Sequence, residues 1–342
     1  MSEEINQRKA EHIHIAMNES VTGKQITSGF ERVHFIHNAL PEIDFKDIAL
    51  NTTFLDYQLK TPFLVSSMTG GAEMAESINR NLAIAAEEKG WALALGSTRA
   101  LLESDYFRSS FQLRDYAPTI PIIANLGAVQ LNYGFGVDEC RKIIEITDAN
   151  MLVLHLNSLQ EVLQTDGNTN FKNLLSKIEK LCQELEVPVG VKEVGWGIDG
   201  DVAKKLYDAG VAFVDVAGAG GTSWSQIEKR RLTDVVRKIA AESFSEWGIP
   251  TVDSILSVRK QCEHQPLIAS GGIVNGVDAA KAIALGANIV GIARGLLKAA
   301  TESVDDVVEM MEIRALELQM AMFGIGVSSI QELHETRRLK ID

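Results

Sequence analysis

The chain has 342 residues, 46% hydrophobic and 23% charged, with a formal net charge of -13. That much apolar side chain fills a sizeable core, and one (β/α)₈ barrel with extensions suits the length as well as two domains do. So acidic a surface argues against nucleic-acid or anionic-membrane binding, and any anionic ligand needs a local basic cluster.

The opening segment MSEEINQRKAEHI has no apolar signal-peptide core, and no run reaches the ~18 apolar residues of a membrane span. The expectation is a cytoplasmic protein. Cys140, Cys182 and Cys262 show no metal-like spacing and fall in segments predicted as barrel helices. They read as small core residues in a reducing compartment.

Residues 1–30 read as a polar arm with room for one short helix. Two extended stretches, around 48–50 and 53–59, suit a cover for the bottom of a barrel. Eight short apolar runs follow: PFLVSSM at 62–68, ALALG at 92–96, PIIANLG at 121–127, MLVLHLN at 151–157, PVGVKEV at 188–194, FVDVAG at 213–218, PLIASGG at 266–272 and NIVGIAR at 288–294. Segments with helical spacing separate them, and Gly90, Gly210 and Gly286 follow helical runs as left-handed terminators. Eight strand–helix units predict an α/β fold, a TIM (β/α)₈ barrel with an N-terminal extension. The expected divisions are 1–60 for arm and cover, 61–325 for the barrel and 326–342 for a C-terminal tail. The sixth unit carries an additional amphipathic stretch, roughly 225–245, that could serve assembly.

Strand alternation places the chemistry. In MLVLHLN, Leu152, Leu154 and Leu156 point out, while Met151, Val153, His155 and Asn157 point in. Asn125 and Lys192 also point in. All four polar groups fall near the C-terminal ends of strands, the active end of such barrels.

Ser270-Gly271-Gly272 and Gly291 to Gly295 end the last two strands. Glycines there let backbone N–H groups approach a phosphate, and the helix N-termini that follow favour its charge. Tight turns alone would use the same glycines, but two in these two units favour a phosphate, as of FMN. Lys192 could oppose negative charge on a reduced flavin or pair with Asp215. Ser66 to Gly71, Asn125 and the loop AGAGGTSW at 217–224 suit the ring's edges. A basic and amide-rich set gathers around the same mouth: Arg8, Lys9 and His12 on the arm, Ser97 and Arg99 after strand two, and His155, Asn157, Gln160 and Glu161 after strand four. Arginine forks and lysine point charges suit phosphate oxygens, and Glu161 could hold Mg²⁺.

These residues resemble the type 2, flavin-dependent isopentenyl-diphosphate isomerases over nearly the whole chain. The resemblance lies in RKxxHI at 8–13, SSMTGG at 66–71, GSTRA at 96–100, HLNxxQE at 155–161, VKEVG at 191–195, AGxGGTSW at 217–224 and SGGI at 270–273. It implies interconversion of isopentenyl and dimethylallyl diphosphate, with reduced FMN as acid and base, NADPH as usual reductant and Mg²⁺ required. It implies that Gln160, His155 and Lys192 are catalytic and that Glu161 binds the metal. Substrate would be held by Arg8, Lys9, His12, Ser97, Arg99, His155, Asn157, Gln160 and Trp224. FMN would be lined by Ser67, Met68, Thr69, Ser97, Asn125, Lys192, Thr222, Gly271, Gly272, Ala293 and Arg294. A homotetramer or larger homo-oligomer is expected. The rival is an FMN-dependent α-hydroxy-acid oxidoreductase, which needs a histidine base after strand six, where this chain reads Ala217-Gly218-Ala219-Gly220-Gly221-Thr222. A flavin-free sugar-phosphate enzyme and a non-catalytic scaffold are weaker alternatives.

Overall fold

The structure, a computed structural model, describes residues 11–19, 21–68, 70 and 73–342. Residues 11–18 form a helix, α1. Strand β1 (Val33–Phe35) is followed by the hairpin β2 (Thr52–Phe54) and β3 (Tyr57–Leu59). The first barrel units are β4 (Phe63–Val65) with α2 (Glu73–Lys89), β5 (Ala92–Ala94) with the short α3 (Arg99–Glu103), and β6 (Ile122–Gly127) with α4 (Val137–Thr147). Next come β7 (Met151–His155) with α5 (Ser158–Leu163) and α6 (Leu174–Glu184), then β8 (Val189–Lys192) with α7 (Gly200–Asp208). The sixth strand, β9 (Phe213–Asp215), leads into α8 (Trp224–Arg231), α9 (Val235–Glu242) and α10 (Thr251–Gln261). Then follow β10 (Leu267–Ala269) with α11 (Gly276–Ala284), β11 (Ile289–Ile292) with α12 (Arg294–Glu302), and finally α13 (Val304–Ile325), α14 (Ile330–His334) and β12 (Leu339–Ile341).

Strands β4 to β11 pair in chain order, all parallel, and β11 closes on β4. The eight predicted runs are the eight barrel strands. Leu152, Leu154, Val189 and Val191 pack outward under the helices. Leu64, Ala92, Ile123, Met151, Val153, Phe213, Ile268 and Ile289 fill the interior. Each of these but Ala92 contributes about 1.5–3 kcal/mol by its burial. Glycine at 190 is forced by Phe213, because a Cβ there would lie 2.2 Å from its ring.

The stretch 53–59 lies in the β2–β3 hairpin, which packs on the barrel interior. Phe54 and Leu59 join the interior cluster, and Phe54 meets Phe213 edge-on at 5.6 Å. The helices stop where the glycines allow it, with Gly90, Gly210 and Gly286 at φ 68°, 88° and 116°. The C-terminal segment is tied to the N-terminal extension: β12 pairs antiparallel with β1, and Ala49 bridges Ser329. Cys140 and Cys262 are buried, Cys182 is partly so, and all three are free thiols. No described helix is long and apolar enough to cross a membrane.

Candidate active site

Below the mouth the barrel is full. The cavity under it, lined by Ser66, Ser67, Lys192, Asp215, Ile123 and Phe213 among others, holds only about 10 Å³, room for one water. A ligand of any size must therefore sit above the strand ends, where the loops converge.

On one side the glycine loops interlock into a cup. Gly271 and Gly272 have φ of 103° and 69°, which disfavours any side chain. A Cβ on Gly221 would lie 2.5 Å from the Gly272 nitrogen. Helix α12 starts without a side-chain cap from Ala293; the Leu296 amide donates to the Ala293 carbonyl at 2.9 Å, and the positive end of the helix favours an anion. Arg294 is exposed beside it. The hydroxyls of Ser66 and Ser67 are buried without a hydrogen-bond partner. Unsatisfied buried donors beside a glycine cup and a buried ammonium fit a polar, phosphorylated ring such as FMN.

Lys192 ends β8, inward and buried. It makes no direct ion pair with Asp215, its register neighbour. Its Nζ donates instead to the Glu193 carbonyl at 2.5 Å. The Asp215 carboxylate accepts from the Ser270 hydroxyl (2.6 Å) and the Ala217 amide (3.2 Å). Burial lowers the Lys192 pKa, opposed by the charges of Asp215 and Glu193. Burial raises that of Asp215, opposed by Lys192. An anionic ring above would relieve the cost on the lysine.

The opposite side carries two polar groups, one around Asn125 and His155 and one around Asn157 and Glu228. Asn125 Nδ2 donates to the Leu95 carbonyl (3.1 Å), and its Oδ1 lies 2.8 Å from His155 Nδ1. Asn157 Nδ2 donates to Glu161 Oε1 (2.9 Å) and Gln160 Oε1 (3.3 Å). Gln160 Nε2 donates to Glu228 Oε1 (3.1 Å). Glu228, 1% exposed, also takes Arg231 Nη1 at 2.9 Å. His12 Nε2 lies 3.2 Å from it, at ion-pair range without hydrogen-bond alignment, and meets Trp224 edge-on at 5.1 Å. Burial would raise the Glu228 pKa, but His12, Gln160 and Arg231 together hold it below the usual carboxylate range.

Glu161 is buried, and its second oxygen accepts the Asn168 amide at 2.6 Å. Asn168 Oδ1 in turn takes Gln130 (3.1 Å) and Arg99 (3.3 Å). Arg99 is thus engaged on two sides, since its Nε also pairs with Glu103 at 2.6 Å. Among the described residues no three His, Cys, Asp or Glu side chains cluster to chelate a metal. Glu161, with the buried and unpartnered Asn157 Oδ1 beside it, fits Mg²⁺, which takes one or two carboxylates and completes its shell with phosphate and water.

Most predicted residues therefore lie on the strand ends and loops of one mouth: Asn125 and His155 in one polar group, His12, Asn157, Gln160, Glu161 and Trp224 in the other, Lys192 at the end of β8, and Thr222, Gly271, Gly272, Ala293 and Arg294 around the cup. Ser67, Met68, Ser97 and Arg99 border it on the loops after β4 and β5. Arg8, Lys9 and Thr69 lie outside the described residues. Sequence reasoning missed Glu228, Arg231, Asn168, Gln130 and the side chain of Glu193. Glu228 was within reach, for it stands one helical turn beyond Trp224 on the same face.

The barrel and cup define an FMN-dependent class, and the family described as FMN-dependent dehydrogenase matches residues 1–104 and 143–339. Solved structures agree on the fold alone. A mandelate oxidase has a TM-score of 0.64 at 18% identity, covering 99% of this chain and 96% of that one. A flavocytochrome b2 with pyruvate bound has 0.69 at 17%, covering 96% and 82%. The chain belongs to the isopentenyl-diphosphate delta-isomerases of this flavin-dependent class. It is 60% identical to that enzyme of Oceanobacillus iheyensis, over 100% of this chain and 98% of the relative. It is 45% identical to that of Nostoc sp., over 99% and 97%.

Proposed function

We propose that this chain is an FMN-dependent isomerase that interconverts isopentenyl diphosphate and dimethylallyl diphosphate by a 1,3-allylic proton shift. One observation carries the reading: a phosphate cup and a buried amide–carboxylate chain share one mouth, while the loop 217–222 has glycines where hydroxy-acid oxidation needs a histidine. Relatives of the same name along the whole chain support it.

When bound, reduced FMN supplies an electron-rich ring and the acid and base of the shift. The chain's own residues arrange the rest. Gly271, Gly272, Ala293 and Arg294 hold the phosphate, and Ser67, Met68, Thr69, Ser97, Asn125 and Thr222 border the ring. Lys192 opposes negative charge on it. Arg8, Lys9, His12, Ser97, Arg99, His155 and Asn157 grip the diphosphate, whose binding energy is spent on orienting the reacting carbons. Glu161 holds Mg²⁺. Gln160, fixed between Asn157 and Glu228, orients the alkene, and Trp224 walls it from water. NADPH is the reductant, and the protein works in the cytoplasm as a homotetramer or larger homo-oligomer.

The test is an anaerobic assay of the purified protein with FMN, Mg²⁺ and NADPH, each omitted in turn. Dimethylallyl diphosphate should form only when all three are present. Oxidation of lactate or mandelate without isomerisation would replace this reading by the oxidoreductase one.

A further inference from the structure

In VKEVG the lysine faces the site, and the glutamate beside it has no part in the reaction as described. The side chain of Glu193 turns under the loop that follows β8. Its Oε2 accepts three successive amides, from Val194 (2.6 Å), Gly195 (2.8 Å) and Trp196 (2.6 Å). Three consecutive N–H groups converging on one oxygen form an anion nest, here filled by the chain itself. The backbone of Glu193 is fixed as well. Its amide donates to the Asp215 carbonyl at 3.2 Å, and its carbonyl holds Lys192 Nζ at 2.5 Å.

This turn supports more than the lysine. Gly195, at φ 131°, lies so close under Thr222 that a Cβ would stand 2.6 Å from the Thr222 carbonyl. Gly197 donates to the Ala217 carbonyl, and the Trp196 carbonyl accepts from Ile249. The loop 194–197 is thus the floor of the glycine loop 217–222. The arrangement is costly, because burial pushes the Glu193 carboxyl up to about 7 despite its three donors. An uncharged turn would close this loop without that cost, so the carboxylate points to a requirement at the site.

We propose that Glu193 is a positioning residue for Lys192: by locking the 194–196 turn it fixes the carbonyl that holds Nζ, and so aims the ammonium at the ring bound above. The proposal rests on the FMN reading. A misaimed ammonium would oppose ring charge less well, so the reduced ring would hold its proton to higher pH.

The measurement is the absorbance spectrum of the dithionite-reduced, FMN-loaded protein across pH, together with FMN affinity and the melting temperature of the FMN-free protein. Glu193→Ala should move the midpoint for proton loss from the reduced ring upward by about one pH unit. Glu193→Gln keeps an oxygen for the three amides and should return most of that shift. Equal midpoints in wild type and Glu193→Ala, or a shift as large in Glu193→Gln, would overturn the proposal while the flavin reading stands. Should Glu193→Ala fail to fold, Glu193→Asp withdraws the oxygen from the amides and is read in the same way. Wild-type protein that takes up no FMN would overturn the flavin reading itself, and the proposal with it.

Discussion

Glu228 is the residue on which the polar side of the mouth converges: Gln160, Arg231 and His12 all meet its carboxylate. Glu228→Ala removes the carboxylate from the Gln160 amide and from the half-buried Arg231, which keeps its pair with Glu11, at a cost of roughly 1–3 kcal/mol, readable by urea denaturation. Glu228→Gln keeps the shape but loosens Gln160, and should lower kcat/KM on the order of 10²-fold with FMN affinity unchanged. Its folded pKa lies below the unfolded value near 4.5, so its stabilisation is present above that value and lost as pH falls through the folded one. The stability gap between wild type and Glu228→Gln should therefore narrow on acidification below 4.5. Glu193 runs the other way. With its pKa raised to about 7, its contribution is greatest below 4.5 and declines as pH rises through 7. The melting temperature of Glu193→Gln should gain on wild type across that range, and a constant difference would contradict the assignment. At the proposed metal position, Glu161→Gln should stay yellow but lose Mg²⁺-dependent turnover, and an unchanged response to EDTA would remove Glu161 from that role.

At the scale of elements, the insert α8–α9 is the dock of the N-terminal arm. The Glu246 carboxylate accepts the amides of Lys24, Gln25 and Ile26 at 2.6, 2.9 and 2.6 Å. Arg231 pairs with Glu11 at 3.0 Å and Arg230 with Glu19, while Ile15 and Val21 pack on Ile227 beside Trp224. The same insert leaves Val235, Val236 and Ile239 exposed on α9, so an assembly role for that outer face remains compatible with the docked inner one. Glu246→Ala should release the arm: limited proteolysis near residues 20–27 should speed up, and KM for isopentenyl diphosphate should rise with FMN affinity unchanged. An unaltered KM would take the arm out of substrate binding.

Over the whole molecule, the barrel was legible because its strands are short apolar runs between turn signals, and that local pattern needs no partner to be read. The inward set Asn125, His155 and Lys192 followed from period-two alternation alone, whereas Asn157 stands past the end of β7 as the N-cap of α5. What stayed hidden depends on residues distant in sequence. Gln160 meets Glu228, which is 68 positions away, and Glu246 meets Ile26, which is 220 away. Likewise the pairing of β1 with β12 joins the ends of the chain, where neither three-residue strand announces itself. Lys192 shows the limit in a single residue, since its inward direction was predictable but its partner, a carbonyl one residue on, was not.

The most direct test of the central claim is the ratio of dimethylallyl diphosphate formed to NADPH consumed under strict anaerobiosis, with isopentenyl diphosphate, FMN and Mg²⁺ supplied. A redox-neutral proton shift needs the reductant only to prime the flavin, so many products should form for each NADPH oxidised. One NADPH consumed per turnover, or NADPH consumption with no dimethylallyl diphosphate, would contradict the account.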